Sequence, residues 1–103
     1  MAAVHVRYVR SGGFAGLRMV ADVDTAQLAE ANAAEASRLE ALASAAAAEP
    51  AAPAPDRPRP DGYQHDVTIT AGGATVERRG WDGAMPPELE ALVSALAGHL
   101  TPT

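Results

Sequence analysis

The 103-residue chain is 48% hydrophobic but only 4% aromatic, which suffices for one small domain with a modest core and leaves no room for a second. Eight arginines and no lysine stand against 13 acidic residues, and the net charge of -5 argues against general affinity for nucleic acid or an anionic membrane. Because Cys is absent, disulfides, thiolate metal sites and a thiol nucleophile are excluded. With no signal-peptide pattern and no run near the roughly 20 apolar residues of a membrane span, a cytoplasmic protein is expected.

Two alternating segments near the N-terminus predict a β-hairpin. Apolar and polar residues alternate from Val4 to Tyr8 and again from Leu17 to Val23, which is the period of half-buried strands. The connection, Ser11 to Gly16, contains three glycines and the chain's single Phe. Its backbone is therefore free to adopt positive φ and to approach another surface closely.

A helix and a linker are predicted next. The segment from about Ala29 to Ala48 is rich in helix formers and contains no Gly or Pro, which predicts one helix. Glu49 to Gly62 contains five prolines, which remove backbone donors and favour extended conformations. We interpret this second segment as a long surface loop and not as a ligand for a proline-binding domain.

The second half of the chain repeats the strand-strand-helix pattern. Alternation from Tyr63 to Thr70, the turn Ala71 to Ala74 and the following segment that ends at Trp81 predict a second hairpin. Pro86 and Pro87 suit the first turn of a terminal helix, whose leucines recur at helical spacing. Trp81 lies just before that helix, so it is expected to pack beneath it.

The predicted order ββαββα defines an α+β fold. The simplest assembly is one four-stranded antiparallel sheet with two helices packed on one face, in a single domain spanning residues 1–103 with a Pro/Ala-rich loop at 49–62. The other face of the sheet stays open. It is expected to carry Arg7, Arg18 and polar neighbours, whereas the acidic residues lie mainly on the helices.

Candidate sites for catalysis or metal binding are weak. His5, His65 and His99 are far apart and match no metal-ligand spacing, so no metal or cofactor is expected. Ser11 lacks the Gly-x-Ser-x-Gly context of a strand-to-helix nucleophile, and no catalytic residue is expected. The glycine loop is flanked by arginines, which leaves an anion site open as an alternative.

Phe14 is the unusual residue of the loop. Its glycine neighbours supply no side chains that would bury it, so the ring either folds back on the sheet or points at a partner. Both interpretations remain open from the residues alone.

The stretch VRSGGFAGL, Val9 to Leu17, within the order ββαββα and ahead of the terminal helix MPPELEALVSAL, resembles the emfourin family. Members of that family are small proteinaceous inhibitors of thermolysin-like zinc peptidases, represented by the inhibitor of protealysin. The most specific part of the resemblance is R-S-G-G-F-A-G. Outside it the similarity is mainly one of pattern.

The resemblance implies a non-enzymatic, reversible blocker of a thermolysin-like metallopeptidase groove, expected to be monomeric when free. Such peptidases favour a bulky apolar side chain just after the scissile bond, which Phe14 or Leu17 would supply. The candidate peptidase-binding loop comprises Arg10, Ser11, Gly12, Gly13, Phe14, Ala15, Gly16 and Leu17. The alternative from a different class is a noncatalytic interaction module that uses the open sheet face.

Overall fold

A computed structural model describes residues 3–12, 18–51 and 62–103 of the chain. Five strands and three α-helices follow one another in these segments, with a short 3-10 turn at Ala97–His99 before the last strand. The strands are β1 Val4–Gly12, β2 Met19–Asp24, β3 Tyr63–Ala71, β4 Ala74–Trp81 and β5 Thr101–Pro102. The helices are α1 Thr25–Ala31, α2 Ala33–Ala48 and α3 Pro87–Leu96.

The strands form one antiparallel sheet in the order β4-β3-β1-β2-β5. The predicted α+β class and both hairpins are confirmed, but the predicted number of four strands is wrong. The fifth strand extends the sheet because Thr101 and Pro102 pair with Val20 and Met19 at the edge of β2. Two residues are too few to produce a recognisable alternation in the sequence.

The prediction of two helices is also wrong, because the first predicted helix is divided at Asn32. The backbone of Asn32 leaves the helical region, with φ -153° and ψ 87°, and its side-chain oxygen accepts a hydrogen bond from the Glu35 amide at 3.1 Å. Asn32 therefore ends α1 and caps α2, as short polar side chains do when they compete with helical hydrogen bonds. Asp24 caps α1 by accepting from the Ala26 amide at 2.9 Å.

The core lies between the helices and one face of the sheet. Along β1 the side chains alternate between buried and exposed, so the helices cover a single face and the opposite face is open, as predicted. The buried apolar residues of this cluster come from strands β1, β2 and β3 and helices α2 and α3: Val4, Val6, Tyr8, Ala21, Val23, Leu39, Ala43, Ala46, Val67, Ile69, Leu89, Leu92 and Leu96.

Glu49 belongs to the folded domain and not to the predicted linker. The Arg78 guanidinium donates to the Ala47 and Glu49 carbonyls at 3.0 and 3.1 Å. The Glu49 carboxylate accepts from the amides of Glu88 and Leu89, both at 3.2 Å. Because Pro86 offers no side-chain cap to α3, Glu49 supplies it from a distant part of the chain. Residues 52–61 of the predicted loop lie outside the described residues.

The predicted segregation of charge between sheet and helices is wrong. Exposed Arg7 does lie on the open face, but acidic residues share that face. His5 pairs there with Asp22, and the Arg79 Nε lies 2.6 Å from a carboxylate oxygen of Asp66. The strands therefore carry both signs, which suits an exposed sheet surface that avoids self-association.

Candidate functional site

The candidate site is one end of the sheet, where β1 ends, β2 begins, β3 begins and β4 ends. Of the residues in the predicted binding loop, three belong to the described part of the chain and five do not. Arg10, Ser11 and Gly12 are the last residues of β1, which lies between β2 and β3. Gly13, Phe14, Ala15, Gly16 and Leu17 lie outside the described residues.

Gly12 gives the last residue of β1 a conformation that other residues rarely adopt. Its φ is +90°, and a Cβ added there would lie 3.2 Å from the Gly62 carbonyl oxygen. A side chain at this position would be strained and crowded at once. Glycine is therefore required where β1 leaves the sheet opposite Tyr63.

Arg10 packs into the base of the site. Its guanidinium carbon lies 4.8 Å from the centre of the Tyr63 ring, at a distance typical of a cation–π contact. One terminal nitrogen lies 3.7 Å from the Met19 sulfur. Within the described residues the buried Nε of Arg10 has no hydrogen-bond partner. Arg10 thus joins the ends of β1, β2 and β3, while Arg18 is exposed on the far side of the loop.

A buried chain of hydrogen bonds lies beneath this end of the sheet. The Tyr8 hydroxyl lies 2.7 Å from His65 Nδ1, and His65 Nε2 lies 2.7 Å from a carboxylate oxygen of Asp82. Tyr8 is 0% and His65 only 6% exposed, so their polar atoms need these partners. All three groups are satisfied when Tyr8 donates to Nδ1 and the Nε2 hydrogen is donated to Asp82.

The same hydrogen-bonded chain joins three strand ends. The second carboxylate oxygen of Asp82 accepts from the Tyr63 amide at 2.9 Å, and the Tyr8 and His65 rings stack with centroids 5.8 Å apart. Burial raises the pKa of Tyr8 to about 12; Asp82 adds to this rise and Arg10 opposes it. The arrangement fixes β1, the start of β3 and the turn after β4 relative to one another.

Sequence reasoning missed this network, although one signal for it was present. The strand alternation places Tyr8 and His65 on the same inward face, and two polar side chains on that face require partners. The pairing itself depends on residues 57 positions apart. Asp82, in the turn after β4, carries no periodic signal at all.

Trp81 does not pack beneath the terminal helix, and that prediction is wrong. In β4 it is Gly80 that faces inward, and a Cβ on Gly80 would lie 2.2 Å from the Met85 sulfur and 3.2 Å from Leu89 Cδ2. Met85 and Leu89 already fill the space under α3. Trp81 therefore lies on the open face, half-buried and opposite Gln64.

An open groove of about 250 Å³ lies between Trp81 and the base of the loop. Its walls come from the ends of β1, β3 and β4 and the adjoining turns. The residues that line it are Ser11, Gly12, Gly62, Tyr63, Gln64, Trp81 and Asp82. The groove therefore adjoins the predicted binding loop through two of that loop's own residues.

The remaining sequence candidates are not brought together. His5 pairs with Asp22 on the open face, His99 Nε2 lies 2.8 Å from a Glu35 oxygen, and His65 belongs to the buried network. Across segments 3–12, 18–51 and 62–103 no group of three or more metal-ligating side chains occurs. By strand alternation Ser11 lies on the face opposite His65, so His65 is not positioned as its base.

The described residues form a small α+β domain in which the central strand β1 ends at Gly12, close to a buried hydrogen-bond network. The family model described as Emfourin matches residues 8–97, and the chain belongs to this family. The family's general role is metallopeptidase inhibition, and membership suggests the same general role for this chain. Comparison with curated proteins gave no match, and comparison with solved structures gave none. None of the helices in the described segments is long and apolar enough to cross a bilayer.

Proposed function

We propose that the chain is a reversible inhibitor of a thermolysin-like, protealysin-like zinc metallopeptidase and that residues Arg10 to Leu17 block the active-site groove. The observation that carries this proposal is the way the segment starts. β1 pairs with β3 over its whole length and with β2 from His5 to Arg10, and it ends at Gly12, where φ is +90°. The proposed segment thus starts at Arg10, where β1 is paired on both sides, in a member of a family of metallopeptidase inhibitors.

A fixed starting point favours inhibition over cleavage. A segment whose first residues are held in a sheet has fewer conformations to lose on binding than a free peptide. Its attachment to two hydrogen-bonded strands opposes the distortion that cleavage of the backbone requires. The stacked Tyr8 and His65 rings and the Asp82 carboxylate hold together the strands from which the segment starts.

The loop offers two bulky apolar side chains to the peptidase, Phe14 and Leu17. Either would suit an enzyme pocket that prefers an apolar side chain just after the scissile bond. In this proposal the free inhibitor is a monomeric single domain in the cytoplasm, the compartment of its target.

Titration of a thermolysin-like peptidase with the purified protein tests the proposal. Activity should fall linearly to a sharp end point at one inhibitor per enzyme, and added zinc should not restore it. Recovery on zinc addition would show metal sequestration instead. Unchanged activity of several such peptidases would favour an interaction module that uses the open face.

A further inference from the structure

The open face of the sheet is polar except at the loop end. Its strand residues away from the loop are His5, Arg7, Asp22, Asp24, Thr68, Thr70, Thr75 and Glu77. The apolar residues of this face are half-buried Val9, Val20 and Trp81. Val9 and Val20 pair directly across β1 and β2, and Trp81 is the last residue of β4. Among the described strand residues, the apolar side chains of this face therefore lie at the end where β1 leads into the loop.

Trp81 lines two neighbouring grooves on the surface. One, of about 250 Å³, includes Ser11 and Gly12, which are residues of the proposed inhibitory segment. The other, of about 350 Å³, continues along the open face past Asp66 and Arg79. A surface that occupies the first groove must touch the base of the loop, so the Trp81 surface is continuous with the proposed binding site.

The polar groups beside Trp81 are already paired with one another. Asp66 accepts from Gln64 Nε2 at 2.8 Å and from Arg79 Nε at 2.6 Å. Covering Asp66 therefore leaves its carboxylate with two donors. In protein interfaces, binding hot spots are often large aromatic side chains surrounded by polar groups.

We infer that Trp81, with Val9 and Val20, forms a second contact with the same metallopeptidase and packs against an apolar patch on the rim of its active-site groove. This inference rests on the proposed function, because the occupant is the enzyme that the loop blocks. In this inference the peptidase contacts both the inhibitory segment and the Trp81 surface, which adjoin at Ser11 and Gly12. The sheet end thereby adds affinity and selects among peptidases whose grooves are alike but whose rims differ.

Trp81 is the only Trp of the chain, so the inhibitor labelled with 5-fluorotryptophan gives one fluorine resonance. On addition of unlabelled peptidase, this resonance should change its chemical shift, and its broadening by a soluble nitroxide should fall. A resonance with unchanged shift and undiminished nitroxide broadening in a fully inhibited complex would overturn the inference.

A matched pair of variants gives an independent measurement. Trp81→Ala should raise the inhibition constant about tenfold, whereas Thr75→Ala, on the same face of the same strand at its other end, should not change it. Equal inhibition by Trp81→Ala and the parent would overturn the inference while the loop proposal stands. A parent protein that inhibits no thermolysin-like peptidase would overturn both. If Trp81→Ala has a lower melting temperature than the parent, its weaker inhibition could come from lost stability, and the fluorine measurement then decides whether Trp81 contacts the peptidase.

Discussion

Phe14→Ala should weaken inhibition of the target peptidase about 10- to 150-fold and leave the melting temperature of the free protein unchanged. A phenyl ring buried in an enzyme pocket contributes roughly 1.5–3 kcal/mol of apolar transfer free energy, which corresponds to that range of affinity. Because the proposed role directs the Phe14 ring at the peptidase and not at the inhibitor's own core, its removal should create no cavity in the free protein. The inhibition constant and the thermal transition are to be measured on the same preparation.

Phe14→Leu is the matched control, since it keeps an apolar side chain of similar reach and should retain most of the affinity. A lower melting temperature for Phe14→Ala would place the ring against its own sheet, where truncation costs about 3–5 kcal/mol. An alanine variant that melts and inhibits like the parent would exclude Phe14 as the anchor. The contact would then have to come from Leu17, Arg10 or the loop backbone.

The free energy of unfolding should fall by about 2 kcal/mol between pH 10 and pH 12 because of Tyr8. Burial raises the pKa of this hydroxyl from 10.0 to about 12, so in that interval the unfolded chain loses the proton and the folded chain keeps it. The stabilisation is fully present below pH 10 and is lost as the pH rises through 12. The chain contains no Lys and no Cys, whose titration would overlap this range. Denaturant unfolding at a series of pH values measures the change.

Tyr8→Phe is the control for the alkaline transition. It keeps the buried ring and removes the ionisable hydroxyl, so stability should be lower at neutral pH but should depend much less on pH above 10. The loss at neutral pH reflects the broken hydrogen bond to His65, at about 1 kcal/mol or more. If the parent and Tyr8→Phe lost stability in parallel from pH 10 to 12, the transition would not belong to Tyr8.

Side-chain alternation was sufficient to predict both hairpins and the single antiparallel sheet. One covered face imposes a period of two on every strand of reasonable length, as Val4, Val6 and Tyr8 show. Alternation could not reveal β5, which pairs through only two residues. It also could not reveal the break at Asn32, because the residues on both sides of it favour a helix equally well.

The candidate binding segment remains a prediction, and only its surroundings can be compared with the structure. The glycine pattern predicted a connection that can adopt positive φ, and Gly12, the last residue of β1, has φ +90°. The position of Trp81 depends on Met85 and Leu89 filling the space against Gly80, and the cap that Glu49 gives to α3 joins residues about 40 positions apart. Such contacts between distant residues determine which side of the sheet a side chain occupies, and they cannot be predicted from local sequence patterns.

The claim that the loop occupies the active-site groove is tested most directly by competition with a small peptide-like inhibitor that coordinates the catalytic zinc of the peptidase. The apparent inhibition constant of the protein should rise in proportion to the concentration of the small inhibitor, because one site cannot hold both. An apparent constant that stays the same, with both inhibitors bound to one enzyme molecule, would show that the protein binds elsewhere and would contradict the account.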